Sequence, residues 1–248
     1  MDEVTFQKRP RFDEFIHSKI VNEFGQPIGM ALPEFKPPSR EALIVQGGIQ
    51  GLYCTLEVLD VKKHAFDLLE SYLLDDGRMW TYLSIGPFQE LDPFIIALEN
   101  LKKDKVTYAV LDKVTNKAVG MLSFMKIEVA NGSVEIGFVT FSPLLQRTRA
   151  STEAFYLMIN HCFSVGYRRC EWKCDSLNEP SRRAALRLGF TFEGTFRQSV
   201  VYKGRNRDTM WFSILDNEWP KLSAKFGNWL TPDNFDESNQ QRRSLGEC

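Results

Sequence analysis

Two short stretches of the chain carry residue types suited to holding a small anion. The first is Gln146-Arg147-Thr148-Arg149-Ala150-Ser151-Thr152; the second is Asn178-Glu179-Pro180-Ser181, followed by Arg182 and Arg183. Each lies where a strand-like run gives way to a helix-like one. The first turn of a helix leaves backbone N–H groups without partners, and its dipole favours negative charge. Arginine and hydroxyl side chains beside such amides add hydrogen bonds to phosphate oxygens. Two such ends in sequence point to a phosphorylated ligand. Both stretches also read as ordinary capped helices, since Asn178 is a good N-cap and Pro180 suits a first turn. Capping does not need Ser181 or the Arg182-Arg183 pair.

Strands must place those helix ends. Val134, Ile136 and Phe138 alternate with Glu135, Gly137 and Val139, the period of a strand with two distinct faces. Asn131-Gly132 before it is a hairpin signal. The patterning predicts a strand over 52–59, helices over 61–74 and 88–101, and strands over 106–111 and 118–126. It continues with a helix over 152–165, a strand over 169–174 and a helix over 179–188 stopped by Gly189. A hairpin of 191–202 and 207–214, turning at Lys203-Gly204, closes the pattern. Early helices followed by mixed strands and helices describe an α/β domain whose sheet has antiparallel and parallel parts. The expected organisation is an irregular N-terminal arm over 1–50, punctuated by prolines and packed on a domain over 51–230. A polar tail over 231–248 is expected to be disordered.

Composition narrows the classes. The chain has 248 residues, 43% hydrophobic and 25% charged, enough for one large domain with a core. A net charge of −1 gives no overall field toward nucleic acid or membranes. Residues 144–190, however, hold eight Lys/Arg against four acids, a local excess that fits a small anionic ligand. Five cysteines form no CxxC pair and three histidines lie far apart, so neither a disulfide framework nor a metal site is expected. His161, beside Cys162 in an apolar helix, reads as a core residue, and Trp172, Trp211 and Trp219 as core or rim aromatics. The N-terminus has no apolar signal region, and no apolar run is long enough to span a bilayer. A cytoplasmic location with no membrane or nucleic-acid partner is expected.

The segments EIGFVTFSPLLQRTRASTEA and NEPSRRAALRLGFTFEG, in that order and followed by the closing hairpin, resemble the GNAT superfamily of N-acetyltransferases. Within it they look like the RimJ/RimL-type branch, over roughly residues 52–216. The resemblance implies a GNAT fold: a mixed central sheet of about six or seven strands with a V-shaped splay, flanked by helices. It implies acetyl-coenzyme A as acetyl donor and no metal. The acceptor would be a primary amine, on a small molecule or a peptide N-terminus, attacking directly in a ternary complex within a monomer or homodimer. The phosphate loop of most relatives reads Gln/Arg-x-x-Gly-x-Gly/Ala. Here Gln146 matches the first position, Arg149 takes the place of the first glycine and Ser151 takes the last position. The pyrophosphate would lie on the N–H groups of Arg147, Thr148, Arg149, Ala150, Ser151 and Thr152. Phe138 and Val139 would pair through their backbone with the pantetheine arm, and Asn178 would hydrogen-bond it.

Acetyl transfer requires a neutral amine, and an alkyl amine has a pKa of ~10.4. Glu135, on the splayed strand, is the candidate base, directly or through a water. A backbone N–H near Val139 would stabilise the developing oxyanion. Ser181, in an Asn-x-x-Ser pattern like that of RimL, would protonate the leaving thiol. Trp80 and Tyr82 would line the acceptor pocket. Each has a structural alternative: a solvent-facing carboxylate for Glu135, helix capping for Ser181, aromatic packing for Trp80 and Tyr82. A function of another class keeps the fold without the reaction: a catalytically silent GNAT-like module that binds acyl-coenzyme A.

Overall fold

The computed structural model describes residues 20–238 and 240–248. It divides after Lys36 into two units. Of the expected arm, residues 1–19 lie outside the described residues. Residues 20–36 form a turn of their own, in which the Asn22 side chain accepts the Phe24 and Gln26 amides at 3.1 and 2.9 Å. Residues 37–248 form the second unit, which carries the sheet. The last part of the expected arm belongs to this unit's core. Leu43 is fully buried, and the Tyr108 hydroxyl donates to its carbonyl (2.7 Å) while accepting the Val45 amide (2.9 Å).

The elements run β1 (Ile49–Gln50), β2 (Cys54–Val58), α1 (Val61–Tyr72), α2 (Leu91–Leu101), β3 (Val106–Asp112), β4 (Ala118–Glu128) and β5 (Ser133–Phe141). They continue α3 (Arg149–Ser164), β6 (Arg169–Asp175), α4 (Glu179–Arg187), β7 (Thr191–Tyr202), β8 (Arg205–Leu215) and α5 (Trp219–Leu230). The strands form one sheet in the order β1-β2-β3-β4-β5-β6-β8-β7, all neighbours antiparallel except β5 and β6. This is the expected GNAT-type α/β architecture with eight strands rather than six or seven. The two-residue β1 is too short to leave a periodic signal.

Each face of the sheet has its own core. On one face α1 and α2 pack Leu68, Phe94 and Leu98 against Ala109, Leu111 and Met121. On the other, α3 and α5 bring Met158, Ile159 and Phe226 together with Val134, Ile136 and Ile214. The β7–β8 turn has Lys203 and Gly204 both at positive φ (47° and 70°), the geometry that matches strand twist in a two-residue hairpin.

Three features differ most from expectation. α3 begins at Arg149 rather than 152, because Thr148 caps it before the apolar periodicity starts. α5 was not expected; it buries Trp219, Phe226, Trp229 and Leu230 along one face. The tail expected to lack structure instead packs: Phe235 and Leu245 are buried. Its polar residues are consumed by hydrogen bonds. The Asn234 side chain donates to the carbonyls of Trp229 and Arg243 and accepts the Arg243 amide, and Trp229 Nε1 donates to Gln241. Polar composition carries no mark of these partners.

One buried carboxylate ties α3 to the edge of the sheet. Glu153 accepts the backbone N–H groups of Leu52, Tyr53 and Cys54 at 2.6, 2.6 and 2.8 Å, closing the β1–β2 turn. A methyl group on Gly51 would overlap that carboxylate. Glu153→Ala leaves three amides without their acceptor and is expected to lower stability by about 3 kcal/mol in urea denaturation. A wild-type midpoint would show that the turn stands without it.

Candidate active site

The site begins where two strands part. β5 and β6 pair in parallel through three positions only, Ser133, Val134 and Glu135 against Arg169, Cys170 and Glu171. β6 continues beside β8 as far as Asp175, and β5 continues beside β4 as far as Phe141. Beyond Glu135 the facing edges of β5 and β6 therefore have no ladder between them. On its other side β5 carries a bulge. Ser123 pairs with Gly137 and Met121 with Thr140, so Phe138 and Val139 together oppose a single residue, Leu122. Phe138 sits at φ 50°. The Tyr72 hydroxyl from α1 fixes the bulge, lying 2.9 Å from Thr140 Oγ1 and 3.1 Å from its carbonyl oxygen. Phe138 and Val139 thus lie on β5 beyond its last pair with β6.

The two helix N-termini follow these strands. At α3, Thr148 Oγ1 accepts the Ser151 amide (3.1 Å) and donates to the Leu145 carbonyl (2.7 Å), while Ser151 Oγ donates to the Thr148 carbonyl (2.7 Å). Gln146 Nε2 donates to the Phe141 carbonyl at 2.6 Å, fastening the loop to the end of β5. The amides of Gln146 and Thr148 are used within the loop. Among the described residues, those of Arg147 and Ala150 take no protein acceptor. The loop's left-handed residue is Arg147, at φ 60°. Arg149, standing where relatives have a glycine, is the first helical residue and needs no such freedom. Its guanidinium lies between the rings of Tyr53 (4.6 Å) and Phe235 (4.5 Å). Thr152 is buried and accepts Arg187 Nη1 at 3.1 Å. The side chains of Arg149 and Thr152 thus serve packing, and what the helix end offers a ligand is backbone. At α4, Asn178 Oδ1 accepts the Ser181 amide at 3.1 Å. Among the described residues its side-chain N–H groups have no acceptor. Ser181 Oγ accepts Trp172 Nε1 at 3.0 Å, which fixes the hydroxyl at the end of β6.

Glu135 is not a solvent-facing carboxylate: it is 6% exposed. Burial pushes its carboxyl above the usual range, and Lys173, with Nζ 3.0 Å from Oε2, pulls it back down. Lys173 also binds Glu171 at 2.8 Å and lies 3.7 Å from the centroid of Trp211. Arg207 of β8 is half-buried, its Nε donating to Thr209 Oγ1 at 3.1 Å. The Tyr202 hydroxyl donates to Asp175 Oδ2 at 2.9 Å; burial and that carboxylate push the phenol up to about 12. Lys173, Arg207 and Tyr202 were missed in the sequence. The one signal lay at Lys173, which falls in the charged row Glu171, Lys173, Asp175 on one face of β6.

The acceptor-side expectations divide. Trp80 is a core residue, 3% exposed, with its ring edge-on to Tyr72 and Phe88 at 5.5 and 5.4 Å. Its ring therefore does not line a pocket; only its carbonyl, accepting Lys203 Nζ at 2.8 Å, reaches the β7–β8 turn. Tyr82 is half-buried, and its hydroxyl donates to the Leu177 carbonyl (3.0 Å) just before α4. His161 is held by packing, with Nε2 3.0 Å from the Ala42 carbonyl oxygen. Among the described residues no helix is long and apolar enough to cross a membrane.

Comparison with known proteins identifies the family and the fold. The family described as "Acetyltransferase (GNAT) domain" matches residues 59–191. The chain is similar to a GCN5-related N-acetyltransferase from Brucella melitensis: 41% identity, a TM-score of 0.83, 87% of this chain and 98% of that one covered. It is similar to a GNAT-family structure from Chromobacterium violaceum at 41% identity and a TM-score of 0.73, covering 79% and 98%. It is 29% identical over 150 residues to an uncharacterized N-acetyltransferase, p20, of Bacillus licheniformis, covering 58% of this chain and 84% of that protein.

The loop geometry predicts opposite responses at its two arginines. Arg147→Gly is tolerated in thermal unfolding, whereas Arg147→Val, β-branched at positive φ, lowers stability by about 2 kcal/mol. Arg149→Gly, which restores the glycine of relatives, costs about 1–2 kcal/mol by removing the stack on Tyr53 and Phe235 and a helical residue.

Proposed function

The chain belongs to the GNAT acetyltransferase family, and from that membership we propose that it moves an acetyl group from acetyl-coenzyme A to a primary amine by direct attack in a ternary complex. The observation that carries the reading is the parting of β5 and β6 beside two helix N-termini. The parting leaves strand backbone unpaired, the α3 loop leaves amides free for phosphate, and the Asn178 side chain keeps donors free between them. These groups fit the donor: the amides of Arg147 and Ala150 would hold its pyrophosphate, and Phe138, Val139 and Asn178 its pantetheine arm. The donor supplies the thioester to be broken.

The protein's own residues supply the rest. Glu135 takes the proton from the acceptor amine, directly or through a water. The Val139 amide, which lies in the bulge, donates to the oxyanion. Ser181, held by Trp172, returns a proton to the leaving thiol. The Asn178-x-x-Ser181 arrangement supports the RimJ/RimL-type branch. A small-molecule amine is the acceptor class favoured here, with a peptide N-terminus as the second.

The following measurements test this. Acetyl-coenzyme A should raise the melting temperature, and a panel of amines and peptide N-termini should release free thiol. Glu135→Gln should lower kcat/KM by about 10²- to 10⁴-fold, and Ser181→Ala by about tenfold. Because Glu135 works ionised and its carboxyl is raised by burial, activity should rise with pH through a limb above the usual carboxylate range. Binding without thiol release from any acceptor would favour a silent acyl-coenzyme A module.

A further inference from the structure

Glu135 is the last member of a chain of alternating charges that crosses three strands on one face of the sheet. Glu193 of β7 takes both terminal nitrogens of Arg169, at 2.7 and 2.5 Å. Arg169 Nε donates to Glu171 Oε1 at 2.8 Å, and Glu171 Oε2 meets Lys173 Nζ at 2.8 Å. Lys173 Nζ then meets Glu135 Oε2 at 3.0 Å. The chain ends where β5 and β6 separate, because Glu135 and Glu171 are the last paired residues of the two strands. An ornamental surface pair would be exposed and weak. Here the side chains of Lys173 and Glu135 are 14% and 7% exposed. Lys173 is pinned from below by the Trp211 ring, and among the described residues it is the only cation bonded to Glu135.

The two oxygens of Glu135 have different surroundings. Oε2 is taken by Lys173. Oε1 lies over Gly137, where a methyl group would come within 3.0 Å. The charged groups that face this carboxylate are Lys173 and Glu171 from β6 and Arg207 from β8; β4 presents Met125, which carries no charge.

We propose that Lys173 is a positioning residue for the reaction: it keeps Glu135 ionised and occupies Oε2, so that Oε1 is the oxygen offered to the amine. Glu171 moderates this by sharing the ammonium. The inference rests on the reading of Glu135 as the base. A buried carboxylate without a cation would take up a proton and lose its use as a base near neutral pH. Too strong a pairing would leave it a poor base, and the second carboxylate on Lys173 prevents that.

The test uses the full chain and two independent readouts. One is the ¹³C NMR titration of the Glu135 carboxyl, its signal assigned by its loss in Glu135→Gln. The other is the pH dependence of kcat/KM with acetyl-coenzyme A and an amine found active in the panel. Lys173→Met should move both midpoints up by about one to two pH units. Glu171→Gln, which leaves Lys173 to Glu135 alone, should move both down. Lys173→Arg should restore the acid limb to near its wild-type position. Unmoved midpoints with a uniform loss of rate would make Lys173 a structural residue and overturn the proposal. If Lys173→Met does not fold, Glu171→Gln decides, since no downward shift in the NMR midpoint also overturns it. An NMR midpoint that moves while the rate profile stays fixed overturns instead the assignment of Glu135 as base.

Discussion

A parallel strand pair that separates after three residues leaves two rows of backbone amides and carbonyls without partners. Inside a protein such groups must find other acceptors and donors, or stay at a cleft where a ligand or water reaches them. The parting of β5 from β6 after Glu135 and Glu171 is therefore a constraint on everything around it. It requires β5 to be held firmly from its other side, which β4 and Tyr72 do despite the bulge at Phe138 and Val139. It requires each helix that follows a parted strand to begin beside the cleft. And it places the last paired residue, Glu135, at the apex, where it is buried but adjacent to the opening.

The two halves of the site are stabilised by different physics. The side of the two helix N-termini is neutral backbone, kept in place by hydroxyl caps and by arginines that are spent on aromatic faces. Arg149 between Tyr53 and Phe235, and Arg187 near Trp229, brace the start of α3 from the C-terminal segment. The side bearing Glu135 is ionic, with acids and bases alternating over β5, β6 and β7. Breaking either link at Lys173, whose partners Glu135 and Glu171 are nearly buried, leaves such a charge unpaired, so these three depend on one another far more than surface pairs do.

Much of this was legible in the residues. The two-faced alternation around Glu135, the N-cap Asn178 and the order of the two motifs pointed to the α/β class and to the two helix N-termini that follow the parted strands. What was not legible came from long-range partners. Trp80 looked like a pocket residue because a loop aromatic carries no mark of the Tyr72 and Phe88 rings that enclose it. The tail looked disordered because the bonds of Asn234 and Gln241 are invisible in composition. Arg149 looked like a phosphate ligand because its partners, Tyr53 and Phe235, lie far from it along the chain. Lys173 was overlooked because its role comes from a carboxylate on the neighbouring strand.

The carboxylate of Glu153 has a bearing on how such a chain can vary. Its three amide bonds exist only because Gly51 leaves room for it. A larger residue at 51 would meet both that carboxylate and, 2.9 Å away, the Cys54 carbonyl oxygen, so a shorter residue at 153 does not by itself make room for it, and a shorter one at 153 abandons the turn. Neither substitution is repaired by the other, and descendants that keep the β1–β2 turn should inherit glycine and glutamate together.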